Sequence, residues 1–226
     1  ILTALDRKHA HVELEHRVAV RTHELQRANR ELQAEIMERK RAEKLQRALL
    51  RITELAITSE TLERFYADVH VVVDELIDAR NFYIALVSDD GEQLSFPYSI
   101  DERDPMRKSR RMTNGLTEYV IATGRPLLAD RPVIAQLAEQ GKLQQHGPPA
   151  YSWLGVPLFG GEDVVGTVVV QSYTEEVKFT SHDQNLLTFV AHHIGNGLDR
   201  QRTHERLRSA HAELERRVDE RTRELA

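Results

Sequence analysis

Cysteine is absent from the 226-residue chain. That excludes disulfides, thiolate catalysis and thiolate metal sites. Aromatic residues are scarce, at 6% of the composition. No apolar run approaches the ~20 residues needed to cross a bilayer, and no signal-peptide pattern is present. Nor is there an excess of positive charge. Lys and Arg number 31 against 36 Asp and Glu, a net charge of -5, so no nucleic-acid partner is expected. The first residue is Ile1, and the true N-terminus is expected elsewhere. The expected location is cytoplasmic, with no membrane contact in this segment and room for an anchor upstream.

What is present is a repeat. Ala10–Leu25 reads AHVELEHRVAVRTHEL and Ala210–Leu225 reads AHAELERRVDERTREL, with 11 of 16 positions identical at an offset of 200. A repeat of this kind at both ends marks one unit of a longer array. Both copies lack Gly and Pro and are rich in Glu, Arg, Leu and Ala, so both favour helix. Leu14, Val18, Arg21, Leu25, Ala28 and Leu32 alternate at steps of four and three, the a/d pattern of a coiled coil. Ala42, Leu45, Leu49, Ile52 and Ala56 continue it in a different phase, which implies a local change of supercoil. Leu207, His211, Leu214, Val218, Arg221 and Leu225 repeat the pattern at the other end. At 1.5 Å per residue the two helices would reach about 80 and 70 Å, too long to stand alone in water. The expected partner is a second copy in parallel, with Leu14, Val18, Leu25, Leu32, Leu49, Leu207, Leu214, Val218 and Leu225 at the interface. Two other arrangements stay open: an antiparallel hairpin within one chain, and solvated linker helices. The charged core residues Arg21 and Arg221 weaken the coil and suit a connector that changes register.

The ~145 residues between the helical ends fit one domain. Boundaries are expected at 1–54 for the first helix, 55–200 for the domain and 201–226 for the second helix. Thr58–Thr61 reads as a helix start, and apolar residues from Leu62 to Ile77 recur at helical spacing. Asn81–Ser88 is a strand and Asp89-Asp90-Gly91 a turn. Leu94–Ile100 is the second arm of a hairpin, with Pro97 marking an edge or a bulge. Asp101–Arg111 is dense in charge and reads as a solvated loop over a pocket. Leu116–Thr123 and Val133–Leu143 are short helices around a strand at Leu127–Asp130, and Gln144–Pro149 is a loop. Tyr151–Phe159 and Val164–Tyr173 form a second hairpin. Thr180–Asp183 then caps a long final helix. Strands arriving as hairpins make an antiparallel α+β sheet. The first and last helices should pack on one face, and the insert should cover the other and leave a cavity.

These residues carry a resemblance. Asn81–Ser88, the run SWLGVPL at Ser152–Leu158, Val165–Val170 and Phe179-Thr180…Asp183 resemble a GAF domain, a bacterial small-molecule sensor and dimerisation module. The resemblance covers about Leu55–Arg200. The flanking LERRV-x-x-RT-x-EL segments resemble signalling coiled coils of bacterial histidine kinases and diguanylate cyclases. It implies a GAF-like antiparallel sheet with helices on both faces, in a regulator whose output lies downstream. It also implies that the Phe82/Ile84 face looks toward the ligand cavity. The Asn-Lys-Phe…Asp-Glu signature of cyclic-nucleotide-binding members is missing. Without Cys, neither a covalent bilin nor sulfoxide-reductase chemistry is available.

Candidate ligand contacts are Phe82, Ile84, Tyr98, Tyr151, Trp153 and Ser172; aromatic side chains there could stack on a planar ligand. The ligand itself is not identifiable from the sequence. His192-His193 point about 100° apart on a helix and cannot share a metal ion. His23-Glu24 and His204-Glu205 lack the continuation of a phosphoacceptor box. Ser152 has no nucleophile elbow around it. No catalytic residue and no metal site emerge, so three readings remain: a dimeric sensor relay, a ligand-free dimerising spacer, and an enzyme fragment for which no converging ionisable cluster is visible.

Overall fold

The computed structural model describes residues 4–144 and 147–224, in two compact units, 1–46 and 47–226. The side chains of Leu14 and Val218, and the whole of Leu225, lie outside the described residues.

The first unit is helical and belongs to α1 (Ala4–Thr58). Its surface is laced by ion pairs one turn apart, Arg27–Glu31 at 2.8 Å and Arg39–Glu43 at 3.0 Å. Pairs of this type each add about 0.3–0.5 kcal/mol to a helix. Val18, Leu25 and Leu32, seven residues apart, are each more than half exposed in the single chain. Arg21, at an expected core position, pairs instead with Glu24 at 3.2 Å.

The second unit begins with the remaining turns of α1. Ala48, Ile52 and Ala56, at steps of four, are buried there. Ile52 and Ala56 therefore serve the domain core rather than the coil seam to which their spacing assigns them; Leu49 is half-buried. The helix α2 (Leu62–Asp74) is capped by Thr61, whose side chain accepts from the Arg64 amide. It stops at Asp74, before the expected Ile77, because the Asp74 carboxylate accepts from the Ala79 amide at 2.9 Å and turns the chain into the sheet.

The sheet has six strands: β1 (Asn81–Val87), β2 (Gln93–Ile100), β3 (Arg110–Arg111), β4 (Leu127–Asp130), β5 (Ser152–Gly160) and β6 (Asp163–Ser172). Their order is β3-β2-β1-β6-β5-β4, and every pairing is antiparallel. Between the pairs Ile84↔Tyr98 and Leu86↔Ser95 the register shifts by one residue on β2. Pro97 thus sits in a bulge, beyond the two residues that β3 pairs, where its missing N–H breaks no ladder. The strand β3 itself was not expected within the charged Asp101–Arg111 segment.

One face of the sheet carries α2 and α5 (Ser181–Glu224). Thr180 and Asp183 cap α5 reciprocally, the carboxylate accepting from the Thr180 amide at 2.8 Å. α5 lies close on β5 because its contact residues are glycines. A Cβ on Gly195 would stand 2.3 Å from the Phe159 carbonyl oxygen. One on Gly197 would meet Phe65 at 2.8 Å and Ala56 at 3.1 Å. The other face is covered by α3 (Leu116–Thr123), ended by Gly124 at φ 60, and by α4 (Arg131–Glu139) with the loops around them. Leu94, Val120, Trp153 and Val169 are in the apolar cluster on that side.

Gly195→Ala tests the close approach. Alanine gains about 1 kcal/mol of helix propensity. A clash with a backbone oxygen costs about 1–3 kcal/mol, since the oxygen cannot rotate away. A net loss of up to about 2 kcal/mol is expected in urea unfolding, with a matching fall in Tm.

Candidate functional site

Strand parity places the site. Because both faces of β1 are covered, its residues are buried from Asn81 through Leu86 with no apolar/polar alternation. Phe82 and Ile84 face α2, contrary to the orientation expected for them. The Phe82 ring stacks on His70 of α2 at 4.7 Å, and Tyr98 meets Phe82 edgewise and His70 at a tilt. His70 Nε2 lies 2.8 Å from the Ala79 carbonyl, which can only accept, so the proton resides on Nε2. Nδ1 then accepts from the Tyr98 hydroxyl at 3.0 Å. The reason for the reversal is general: spacing tells which residues share a face, not which layer that face meets.

The opposite row looks into a cavity of about 60 Å³ between the sheet, α3 and the β2–β3 loop. Tyr83 from β1, Gln171 from β6 and Trp153 from β5 form its floor. Trp153 is the expected ligand contact that the structure does place here. Tyr151 lies apart, in a separate pocket of about 440 Å³ beside α4, with the Arg131 guanidinium 3.9 Å above its ring. Ser172 exchanges hydrogen bonds with Thr174 at the end of β6. Ser152, by its hydroxyl, accepts from the Phe179 amide at 3.1 Å.

The cavity walls are set by two buried carboxylates. Asp101 is wholly inaccessible in its side chain. Its Oδ1 accepts from the amides of Arg103 and Asp104 at 2.9 and 3.0 Å and from the Tyr173 hydroxyl at 2.9 Å. Its Oδ2 accepts from Arg107 Nη2 at 3.1 Å and from Gln171 Nε2 at 2.5 Å. These bonds fold the charged loop back on β6. They also seat the Arg107 guanidinium 4.0 Å from the centre of the Tyr83 ring, a cation–π arrangement. Arg107 is only 15% exposed in its side chain. The expected solvated loop is therefore a packed wall. Asp101 also holds the phenolic proton of Tyr173: burial first, then the neighbouring carboxylate, push that hydroxyl well above its usual range.

Glu118 stands on α3, with 4% of its side chain exposed. Its Oε1 accepts from Arg110, from the Thr113 amide at 3.1 Å and from the Thr113 hydroxyl at 2.7 Å. Burial pushes the carboxyl upward, but the Arg110 and Thr113 hydrogen bonds outweigh it and bring the pKa down to about 2. Thr117, one residue earlier, shares a hydrogen bond of 2.9 Å with the Tyr83 hydroxyl. None of Tyr83, Asp101, Arg107, Thr117, Glu118 or Gln171 was singled out as a contact from the sequence. Glu118 had a usable signal: a carboxylate in an otherwise largely apolar eight-residue helix. Among the described residues no three His, Asp or Glu side chains gather as a metal site.

A six-stranded antiparallel sheet, two helices on one face and a polar cavity under an insert on the other correspond to a known family. The GAF-domain family model matches residues 59–199. The chain belongs to the GAF family. No curated protein matches it. Among solved structures, the GAF domain of a phosphoenolpyruvate-protein phosphotransferase from Coxiella burnetii is 18% identical. The match covers 75% of this chain and 98% of that one, with a TM-score of 0.57. The free methionine-R-sulfoxide reductase of Neisseria meningitidis, solved with its substrate, is 16% identical over 70% of this chain and 90% of that one, with a TM-score of 0.56. A segment of a methyl-accepting chemotaxis protein is 11% identical over 66% and 96%, also with a TM-score of 0.56. At these identities the likeness is one of fold. The GAF domain is a sensory and regulatory module of signalling proteins.

The Glu118 pKa has a consequence for stability. A carboxyl held below its unfolded value contributes above that value and ceases to contribute as the folded pKa is crossed. Stability should therefore decline from about pH 4.5 toward pH 2 through this group. Glu118→Gln should flatten that part of the profile in urea titrations. At pH 7 it should cost about 2 kcal/mol, because Arg110 loses a charged acceptor but keeps access to water.

Proposed function

We propose that this chain is a dimeric sensory module of a bacterial multidomain regulator. It has no catalytic step of its own and passes the state of its cavity to an output domain through helices. The observation that carries the reading is the division of labour across the sheet. Tyr83, Trp153 and Gln171 face the cavity, while their strand neighbours Phe82 and Leu154 are buried on the side of α2 and α5. A displacement of the sheet from one side reaches α5 directly, with Gly195 on the Phe159 carbonyl leaving no slack.

The helical ends supply the dimer. Val18, Leu25 and Leu32 recur every seven residues, and Leu207 and Leu214 do the same near the C-terminus; all are more than half exposed in one chain. A parallel second copy covers each stripe with its own, and the 200-residue offset repeat means that the same kind of connector leads in and out. Connectors of this sequence type feed diguanylate cyclase or histidine kinase domains, and one of these is the proposed output. The proposed setting is cytoplasmic. No helix among the described residues is long and apolar enough to cross a membrane. A second reading, a ligand-free dimerising spacer, draws on the small volume of the cavity.

Two measurements test the reading, the first its dimer and the second the relay against the spacer. Leu25→Asp with Leu214→Asp should convert a dimer to a monomer in size-exclusion chromatography with light scattering; a wild-type monomer at cellular concentration would end the relay reading. Because the chain has no cysteine, Ala212→Cys gives a single spin-label site. Inter-protomer distances at that site should change when the cavity is occupied and should not change if the domain is only a spacer. A functional relay needs the two coil states to shift by a few kcal/mol between stimuli.

A further inference from the structure

The pocket beside α4 has a volume of about 440 Å³, against about 60 Å³ for the cavity under α3. That is the size of sites that take small organic molecules. It lies where the start of α4 meets the segment leading into α5. Most of its lining is apolar or aromatic: Leu128, Pro132, Val133, Tyr151 and Phe179. Charge decides what it attracts. Arg131 and Lys178 line it, against a single carboxylate, Asp130. Asp130 is already engaged, its Oδ1 accepting from the Val133 amide at 3.1 Å to cap α4. The two cations are not. Among the described residues neither forms an ion pair, whereas Arg107 and Arg110 around the other cavity each meet a carboxylate. The lining therefore carries one net positive charge. An ammonium would add to it, and a neutral ligand would leave both cations without a counter-charge.

Both cations are tied to the fold. The Arg131 guanidinium rests 3.9 Å from the centre of the Tyr151 ring, a contact that holds a long, exposed side chain in one place. The Tyr151 amide donates to the Ser172 carbonyl at 2.7 Å, which fixes that ring to the end of β6. Lys178 precedes the buried Phe179, whose amide donates to the Ser152 hydroxyl at 3.1 Å. Ser152 and Ser172 pair across β5 and β6, so both positions hang from one point of the sheet. A guanidinium stacked on a ring by its face keeps its N–H edges free, and that planar fork matches the two oxygens of a carboxylate.

We infer that this pocket binds a monocarboxylic acid with an apolar body, its carboxylate on Arg131 and Lys178 and its body on Leu128, Val133 and Phe179. The site is separate from the cavity under α3 and does not depend on that cavity being the sensing site. The test is an NMR titration of the isotope-labelled 226-residue chain with naphthoate, naphthamide, naphthylmethylamine and acetate. Naphthoate should bind about tenfold or more tightly than each of the others, since the amide lacks the charge, the amine has the opposite sign and acetate lacks the body. The amides of Lys178 and Phe179 should shift more than the indole N–H of Trp153, the single tryptophan, which lines the other cavity. Arg131→Gln and Lys178→Gln should each weaken naphthoate about fivefold or more. Both side chains are exposed, so the Tm of the free chain should stay nearly unchanged. Equal binding of the amide or the amine would overturn the anionic class, equal binding of acetate the apolar body, and shifts centred on Trp153 the location. No binding by naphthoate would overturn the inference outright. The light-scattering and Ala212 measurements judge the dimer and the relay separately.

Discussion

The buried carboxylate of Asp101 is the constraint on which the site depends. Five groups, from the loop that follows it and from the end of β6, converge on its two oxygens. A carboxylate so placed is tolerable only because its lone pairs are filled and Arg107 offsets its charge. In return, the loop acquires one conformation. Arg107 is held over Tyr83 as part of the cavity wall, and the next residues are delivered to β2 as the short strand β3. A segment dense in charge would otherwise be held by nothing stronger than screened surface pairs.

The other face of the sheet is organised by the opposite means. There the contacts are apolar and close, and glycine sets the distance. Gly195 and Gly197 let α5 approach the Phe159 backbone, Phe65 and Ala56 within the span that a single methyl group would fill. A polar layer on one side and a tight apolar layer on the other give the sheet unequal freedom. Occupancy can alter the first, while the second has no space in which to absorb the change. This asymmetry is the physical content of the proposed relay through the sheet.

The outline of the fold was legible because its signals are local. Thr61 and Asp183 cap the helices expected to start there, Gly124 ends α3, and the two hairpins keep the turns that their Gly and Asp residues announce. Pro97 marked its bulge. The site was less legible. Asp101–Arg111 has the composition of a solvated loop, and nothing local reveals that Gln171 and Tyr173, some seventy residues later, will meet Asp101. Ile52 and Ala56 obey a heptad and a domain face equally well. Glu118 stood out in a mostly apolar helix, yet its role depends on Arg110 and Thr113 reaching it from another element.

What the amino-acid order determined by itself was periodicity: where most helices and strands lie, which residues share a face, and that the two ends are copies of one connector. Tertiary structure alone decided which face meets which layer. Phe82 and Tyr83 are neighbours on one strand, both aromatic and both buried. One packs on His70 and the other floors the cavity. A strand covered on both sides has no hydrophobic asymmetry to orient it, so the choice falls to the helices and loops that arrive from elsewhere in the chain.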